Sequence, residues 1–524
     1  MAWAPLGASA EPLARFDSIA EGRDPAEPRL SSTAQAISDD GRLIVGHGSL
    51  SNRWNGDYIQ PLQWRVGGGH SFRLDANGSA QGVSADGRVT VGYYNNDAYL
   101  QRHGQSDYDN LSFRAPGFVD VDYAYAVSAD GRSVVGTYSP YNEDRTRAFR
   151  WNEQNGKRLI PGVVPGLDAW PSDLSADGDV VVGYSQSAVG WEAFRWTPEG
   201  GTQGLGWLNP DPGAFNPRYS RAYAVSADGS VVVGGSKDRF TEEAFVWTAE
   251  AGMRPLDTPR ARSSSALGVS NDGRRIVGHV YDFDFGRHDQ AFLWTPWAGM
   301  RLLQDVLIQD FGVDASVFGD GQLYEAVDIT PDGRFIAGRA VGGSIAGMFR
   351  VALPAFGDAN GDDAIDAEDA AIWQAHVTGA KPTLLPSDRT SERMLWSTAN
   401  FDGDADVDHH DAALLAEAWS QTDPIAAAAW LAGLAVTGDF TGDTHVEQAD
   451  LNLVLNHWGD AREGWANADG FATPIVDQEE LNAVLNNWGA GTAPSFTSNP
   501  AVVPEPGVVA GLLLVGGLVR RRPR

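Results

Sequence analysis

Cysteine is absent from the 524 residues, so no disulfide, zinc thiolate or cysteine nucleophile is possible. Basic residues are scarce beside acidic ones: 39 Lys and Arg face 69 Asp and Glu, a net charge of −30. Such a chain has nothing to neutralise a run of phosphates, which argues against nucleic acid as a partner. Long hydrophobic runs are also missing. "IAAAAWLAGLAV" at 425–436 is too short to span a bilayer, and "VVAGLLLVGGLV" at 508–519 is short for a stable span. No G-x-S-x-G, H-E-x-x-H or Walker A pattern occurs, so the chemistries those motifs signal lack support. What is plentiful is glycine, at 61, and tryptophan, at 18, a mix that suits β-rich repeats. The length allows two or more domains.

The repeats are read from an Asp-Gly pair. It occurs at Asp40-Gly41, Asp86-Gly87, Asp130-Gly131, Asp177-Gly178, Asp228-Gly229, Asp272-Gly273 and Asp332-Gly333, with spacings of 46, 44, 47, 51, 44 and 60. A short alternating run precedes each copy, as in "AYAVS" and "ALGVS". A β-branched run ending in Gly follows, as in "VVVG" and "RIVG". Two β-prone runs around x-Asp-Gly make a hairpin. Asp accepts hydrogen bonds from nearby amides, and Gly takes the positive φ that closes the turn. After a polar loop comes an aromatic strand: "LQWRV", "LSFRA", "AFRWN", "AFRWT", "AFVWT", "AFLWT" and "MFRVA". A fourth short strand such as "KRLI" or "MRLL" ends the unit.

Four strands cannot bury both faces alone, but seven such sheets arranged radially can. The expectation is a mainly β protein: a seven-bladed β-propeller over 12–353, with "LARFDSIA" at 13–20 completing the last blade. The recurring Asp is read as a structural turn, since a catalytic site needs different groups converging at one place. Trp64, Trp151, Trp196, Trp247 and Trp294 recur at one strand position. Packing between blades is the plain reading, and a sugar-stacking platform the functional one.

"AVSADGSVVVGGSKDRFTEEAFVWTAEAGMRPLD" resembles the bacterial extracellular HAF-type repeat over about two thirds of the chain. The resemblance implies an exported propeller-like domain and carries no catalytic residues.

Residues 356–500 hold 25 acidic against 4 basic residues, so about −21 of the −30 lies there. "DANGDDAIDAED" at 358–369 places Asp358, Asn360, Asp362, Asp366 and Asp369 at loop positions 1, 3, 5, 9 and 12 of an EF-hand-type calcium site, with Ala364 offering a carbonyl at 7. Calcium needs six to eight hard oxygens, and alternate residues of a tight loop can all point inward. The loop at 400–411 offers Asn400, Asp402, Asp404, Asp408 and Asp411, with Asp406 at the carbonyl position. The loop at 439–450 offers Asp439, Thr441, Asp443, Glu447 and Asp450, with a His445 carbonyl. A fourth loop keeps Asp469, Asp477 and Glu480 but places Phe471 and Thr473 at ligand positions, so it is read as degenerate.

Asp at position 12 and the pairing of loop–helix units resemble type I dockerins, as two all-α pairs over 356–424 and 425–490. Positions 10 and 11 are Ala367-Glu368, His409-His410 and Gln448-Ala449, not the Ser-Thr type. Cohesin binding is therefore not carried over, while the calcium fold is. A linker at 491–502 leads to Val503-Pro504-Glu505-Pro506, an apolar run and "RRRPR". This trio closely resembles a PEP-CTERM sorting signal, which implies transient membrane contact and removal by an exosortase.

At the other end Ala8-Ser9-Ala10 has the form of a signal-peptidase site. No basic residue precedes it and the apolar stretch is short, so residues 1–11 are read as a signal-peptide remnant or a disordered end. Two functions compete. One is an exported bacterial surface or matrix protein with a non-catalytic binding platform for a polysaccharide or matrix component. The alternative is a carbohydrate-active enzyme, a glycoside hydrolase or polysaccharide lyase, using non-repeated acids such as Asp120, Asp122, Asp282, Asp284 or Glu325. Two such carboxylates converging in a central pocket would discriminate them.

Overall fold

The computed structural model describes residues 14–18, 30–376 and 409–434, apart from the short stretches 53–55, 73–76, 105–107, 113–120, 142–143, 209–217, 238–240, 257–262, 282–288, 297 and 363. Its repeated element is a fully satisfied turn. Ser128 Oγ donates to Asp130 Oδ1 at 2.7 Å, and the Arg132 N–H donates to the same oxygen at 2.9 Å. The Ser133 N–H donates back to Ser128 Oγ, and the Gly131 N–H to the Ser128 carbonyl, both at 2.9 Å. Gly131 takes a φ of 74°, which a side chain would resist. The same Ser-to-Asp bond recurs at Ser38, Ser84, Ser175, Ser226 and Ser270, with Thr330 standing in at the last turn. The recurring Asp spends its acceptors inside its own turn and so shapes the chain.

Each turn joins the first two strands of an antiparallel meander. Five meanders form separate four-stranded sheets. Two more are joined into one eight-stranded sheet by a short parallel bridge at Gly190–Arg218 and Trp191–Tyr219. The first strands are Leu30–Ile37, Gly78–Val83, Val121–Val127, Ala169–Leu174, Arg218–Val225, Ser263–Val269 and Gln322–Ile329. Neighbouring first strands adjoin in sequence, and the first of them adjoins the last. Arg15–Ser18 pairs antiparallel with Gly347–Ala352, supplying the fourth strand of the last sheet. These features define a mainly β, propeller-type architecture.

The contacts between sheets are alike around the molecule. Phe149, Phe194, Phe245 and Phe292 of the third strands are wholly buried, each contributing about 2 kcal/mol of apolar burial. Trp64 and Trp247 are buried in the same inter-sheet layers, with Trp151, Trp196 and Trp294 packed at their margins. The tryptophans therefore pack rather than present a platform. Ala193 N–H donates to Ser220 Oγ and Ala244 N–H to Ser264 Oγ, each tying a third strand to the next sheet. Met348 N–H donates to Ser32 Oγ in the same way, across the junction of last and first sheets. Ala34, Ile37 and Ile44 share a core with Ala337 and Met348 there.

A belt of backbone bonds runs along the turns. Asp39 N–H donates to the Ala85 carbonyl, Ala85 to Ala129, Ala129 to Ala176 and Ala176 to Ala227, at 2.9–3.1 Å. Asn271 N–H continues it to the Pro331 carbonyl at 2.8 Å. Pro331 has no N–H to pass on.

Two expectations are corrected. "LSFRA" is not the aromatic strand of the second repeat; Asp97–Arg102 is, and Tyr99 opposite Gly92 takes the place that Phe149 holds opposite Gly136. Between the sixth and seventh sheets the chain forms the helix Leu303–Gln309 and a 3-10 turn at Ala315–Val317, which accounts for the longest repeat spacing.

After the last sheet come the helices Ala367–His376, His409–Trp419 and Pro424–Leu434. Trp430 packs edge-on against Trp373, with centroids 5.6 Å apart, and lies 6.1 Å from Trp419. Arg274 of the sixth turn donates to Glu417 at 2.7 Å. Buried Arg275 donates to the Gly333 carbonyl at 2.9 Å, and its guanidinium lies against Phe356.

Candidate functional site

The site is built by a defect in each first strand. Its register slips opposite the Gly that ends the "VVVG"-type run, and Gln322–Ile329 slips a second time, at Tyr324. Gly136 shows why glycine stands there: a Cβ would lie 2.0 Å from the Tyr123 carbonyl oxygen. The slipped residue leaves the ladder and its direction changes. These residues are Gln35, Gln81, Tyr125, Ser172, Tyr223, Leu267 and Val327, each five positions before a turn Asp. All of them line one central cavity of about 480 Å³.

Trp170 and Tyr184 also line it. They stack with centroids 5.4 Å apart and planes 7° from parallel, and Trp191 meets Trp170 edge-on at 5.2 Å. Arg221 covers Tyr184 at 4.4 Å. Tyr125 Oη lies 3.2 Å from Thr137 Oγ1, and burial pushes its pKa up to about 12. Tyr223 Oη donates to Glu242 at 3.3 Å, and its pKa is raised by burial and by that carboxylate. Gln81 Nε2 donates to Ser79 Oγ at 2.8 Å.

Three acids share the wall: Asp173, Asp328 and Glu325. Asp173 and Asp328 stand where other repeats carry Ala or Gly. Each lies deep in the protein with part of its surface open to the cavity. Asp173 accepts from Leu174 N–H at 2.8 Å and, across to the next sheet, from Val225 N–H at 2.9 Å. Asp328 accepts from Ile329 N–H at 2.8 Å and from Ile37 N–H at 2.9 Å. Desolvation raises Asp173 to about 6, against the pull of its two amides. Desolvation first, then the charges of Asp173 and Asp39, raise Asp328 to about 7 against the pull of its two amides. Glu325 lies 3.6 Å from Arg339. No Lys, Arg or His is among the described lining residues.

Of the acids singled out by sequence, Glu325 reaches this cavity. Asp122 does not; it is buried 3.4 Å from Lys157. Asp120, Asp282 and Asp284 lie outside the described residues. Asp173 and Asp328 were not singled out, although aligning the repeats column by column would have marked them.

The first acidic loop is described except at 363. Asp358 and Asp369 are wholly buried. Asp369 accepts from the N–H groups of Ala359, Asn360 and Asp366, at 2.7, 3.3 and 2.9 Å. Asp358 accepts from Gly361 N–H at 2.6 Å. Asn360, Asp362 and Asp366 each accept the N–H two residues on. Desolvation raises the pKa of Asp369, and the Asp366 charge adds to it. Two buried carboxylates in one short loop are costly without a counter-charge, so the donor set fits a hard cation. Among the described residues, however, no group of three or more His, Asp or Glu side chains is drawn together as ligands. Asp411 is buried at the start of His409–Trp419. The rest of the second loop, the third and fourth loops and the sorting tail lie outside the described residues. No described helix is long and apolar enough to cross a membrane.

No family model matches the sequence, and no curated protein matches it. Solved structures do resemble the fold. An oligogalacturonate lyase from Vibrio parahaemolyticus aligns at 10% identity and TM-score 0.43, over 65% of this chain and 97% of that one. The β-propeller domain of the Trilobed protease from Pyrococcus furiosus aligns at 10% identity and TM-score 0.42, over 62% and 94%. TolB from Acinetobacter baumannii aligns at 15% identity and TM-score 0.34 over 49% of this chain, which spans 62% of TolB's length. Nothing about activity is taken from these likenesses.

Proposed function

We propose that the chain is an exported bacterial surface or extracellular-matrix protein, built on a seven-bladed β-propeller that binds a polysaccharide without cleaving it. The carrying observation is that the slipped residue of each of the seven first strands, whether amide, phenol, hydroxyl or aliphatic, lines a single cavity. The two deepest acids support a binding role over a catalytic one. Each holds its carboxylate on two backbone amides, one from the next sheet. Such an acid stiffens a wall.

A second reading has its own observation. Asp173, Asp328 and Glu325 share one cavity, as an acid-catalysed glycosidase or a lyase would need. A polysaccharide panel, scored for both retention and product release, separates the two. Retention without release is expected. Turnover that disappears in Asp173→Asn or Asp328→Asn would establish the enzyme.

Calcium is assigned to the loops at 358–369, 400–411 and 439–450, where it would balance clustered carboxylates and close each loop onto its helix. The tail from Val503 is assigned to exosortase-type sorting and transient membrane contact. Intact mass of protein from its native host tests this: a species lacking "RRRPR" is expected, and one retaining it counts against cleavage.

A further inference from the structure

We propose that the slipped residues are the specificity positions of the cavity, and that they read a glycan free of carboxylate, sulfate or amine groups. This rests on the binding reading above and deepens it.

The geometry separates scaffold from reader within one short strand. Ala34 and Ala36 flank Gln35; Ala124 and Ala126 flank Tyr125; Ala222 and Ala224 flank Tyr223. In six of the seven strands the residue before the slip at the glycine is a wholly buried alanine, namely Ala34, Ala80, Ala124, Ala222, Ala266 and Ala326, and in the fourth it is buried Pro171. The slipped residue ranges from amide to hydroxyl, phenol and aliphatic. It leaves the ladder, so its side chain can change without altering a strand pair. Fixed backbone with one free side chain per sheet is the arrangement a variable binding site requires.

The wall selects the ligand class. Trp170, held in place by its stack with Tyr184, lines the cavity and offers aromatic surface for the C–H face of a sugar ring. Gln35, Gln81 and Ser172 can both donate to and accept from hydroxyls. Three acids with no Lys, Arg or His among the described lining residues disfavour uronates and sulfated sugars. A protonated amine gains little here, because Glu325 already faces Arg339 at 3.6 Å and the other acids are engaged by backbone amides. With values raised to about 6 and about 7, Asp173 is mostly ionised and Asp328 about half ionised near neutrality, so the wall keeps negative charge against an anionic sugar.

The test titrates the full-length protein with neutral gluco-, manno-, xylo- and galacto-oligosaccharides, with galacturonate oligomers and with glucosamine oligomers, following tryptophan fluorescence and heat. Binding of a neutral oligosaccharide is expected. Tyr125→Leu and Gln81→Ala should each weaken it about tenfold, the loss of one stacking or hydrogen-bond contact. Tyr141→Ala, on a residue 73% exposed elsewhere, should not. Thermal melting checks that each variant folds, and Gln81→Ala carries the test if Tyr125→Leu does not. Neutral binding indifferent to both variants would overturn the inference and leave the binding reading standing. Tighter binding of galacturonate or glucosamine oligomers would overturn the ligand class alone. No binding to any probe would remove both.

Discussion

Asp328→Asn should change how stability responds to pH. The folded protein holds the Asp328 carboxyl up to about 7, against 3.8 for the free group. Between those values the folded state keeps a proton that the unfolded chain has released. Stability from this residue is therefore fully present below about pH 4 and falls as pH climbs towards 7. The rise from 3.8 to about 7 corresponds to at most ~4 kcal/mol. Most of that rise lies above pH 5, so ~3 kcal/mol is lost between about pH 5 and about pH 8. Asparagine does not titrate. It keeps one acceptor but turns an N–H₂ towards a second backbone N–H, so the variant should be weaker than wild type at the acidic end. Urea unfolding of the full-length protein, followed by tryptophan fluorescence at fixed ionic strength, gives both curves. The stability difference should move by ~3 kcal/mol in the variant's favour across that range. A difference that stays constant would mean Asp328 is ionised in the folded protein at both ends. The cavity wall would then carry a full charge at Asp328, which would strengthen the exclusion of uronates and weaken that of amine-bearing sugars.

Gly136→Ala puts a Cβ 2.0 Å from the Tyr123 carbonyl and should cost about 2–4 kcal/mol in denaturant unfolding; a cost under ~0.5 kcal/mol would mean the strand slip is soft. Ser226→Ala removes the hydroxyl that donates to Asp228 and accepts from the Val231 N–H, and should lower stability by about 1–2 kcal/mol. Deleting residues up to 20 leaves Gly347–Ala352 as an open edge, so a lower melting temperature and concentration-dependent association are expected by light scattering. Calcium should raise the helical circular dichroism of the full-length protein and chelator should lower it, with Asp358→Ala and Asp362→Ala shifting the calcium titration to higher concentration; a helical signal indifferent to chelator would reduce the loops to acidic turns.

The turn was legible because its parts are local. Ser128, Asp130 and Gly131 satisfy one another within six residues, so the motif announces itself wherever it recurs. The strand slip was not legible, because its cause is a carbonyl across the ladder from Gly136 rather than a neighbour in sequence. The cavity residues sit at columns where the repeats disagree, and a search for likeness passes over disagreement. Asp173 and Asp328 were hidden for the same reason: each replaces an Ala or Gly in a run otherwise well matched. "LSFRA" misled through its phenylalanine, whose composition resembles the third strand while its place in the ladder does not. The helix at Leu303–Gln309 begins one residue after the strand Gly299–Leu302, and nothing in "MRLL" marks the change.

The pairing of Arg15–Ser18 with Gly347–Ala352 has a mechanical consequence. Arg15 lies opposite Ala352 and Ser18 opposite Phe349. The chain thus enters and leaves this ladder at the same end. Tension between the segments before residue 15 and after residue 352 would load its rungs one at a time, as in unzipping, rather than all together, as in shear. The third rung in is Asp17 opposite Arg350, whose guanidinium grips Asp17 at 2.6 Å and the Gly41 carbonyl of the first sheet at 3.1 Å. A pull that reached this rung would meet the tie that also joins the last sheet to the first. Beyond it, the last sheet would still be held to the first by the Met348–Ser32 bond and the core that Ile37 shares with Met348.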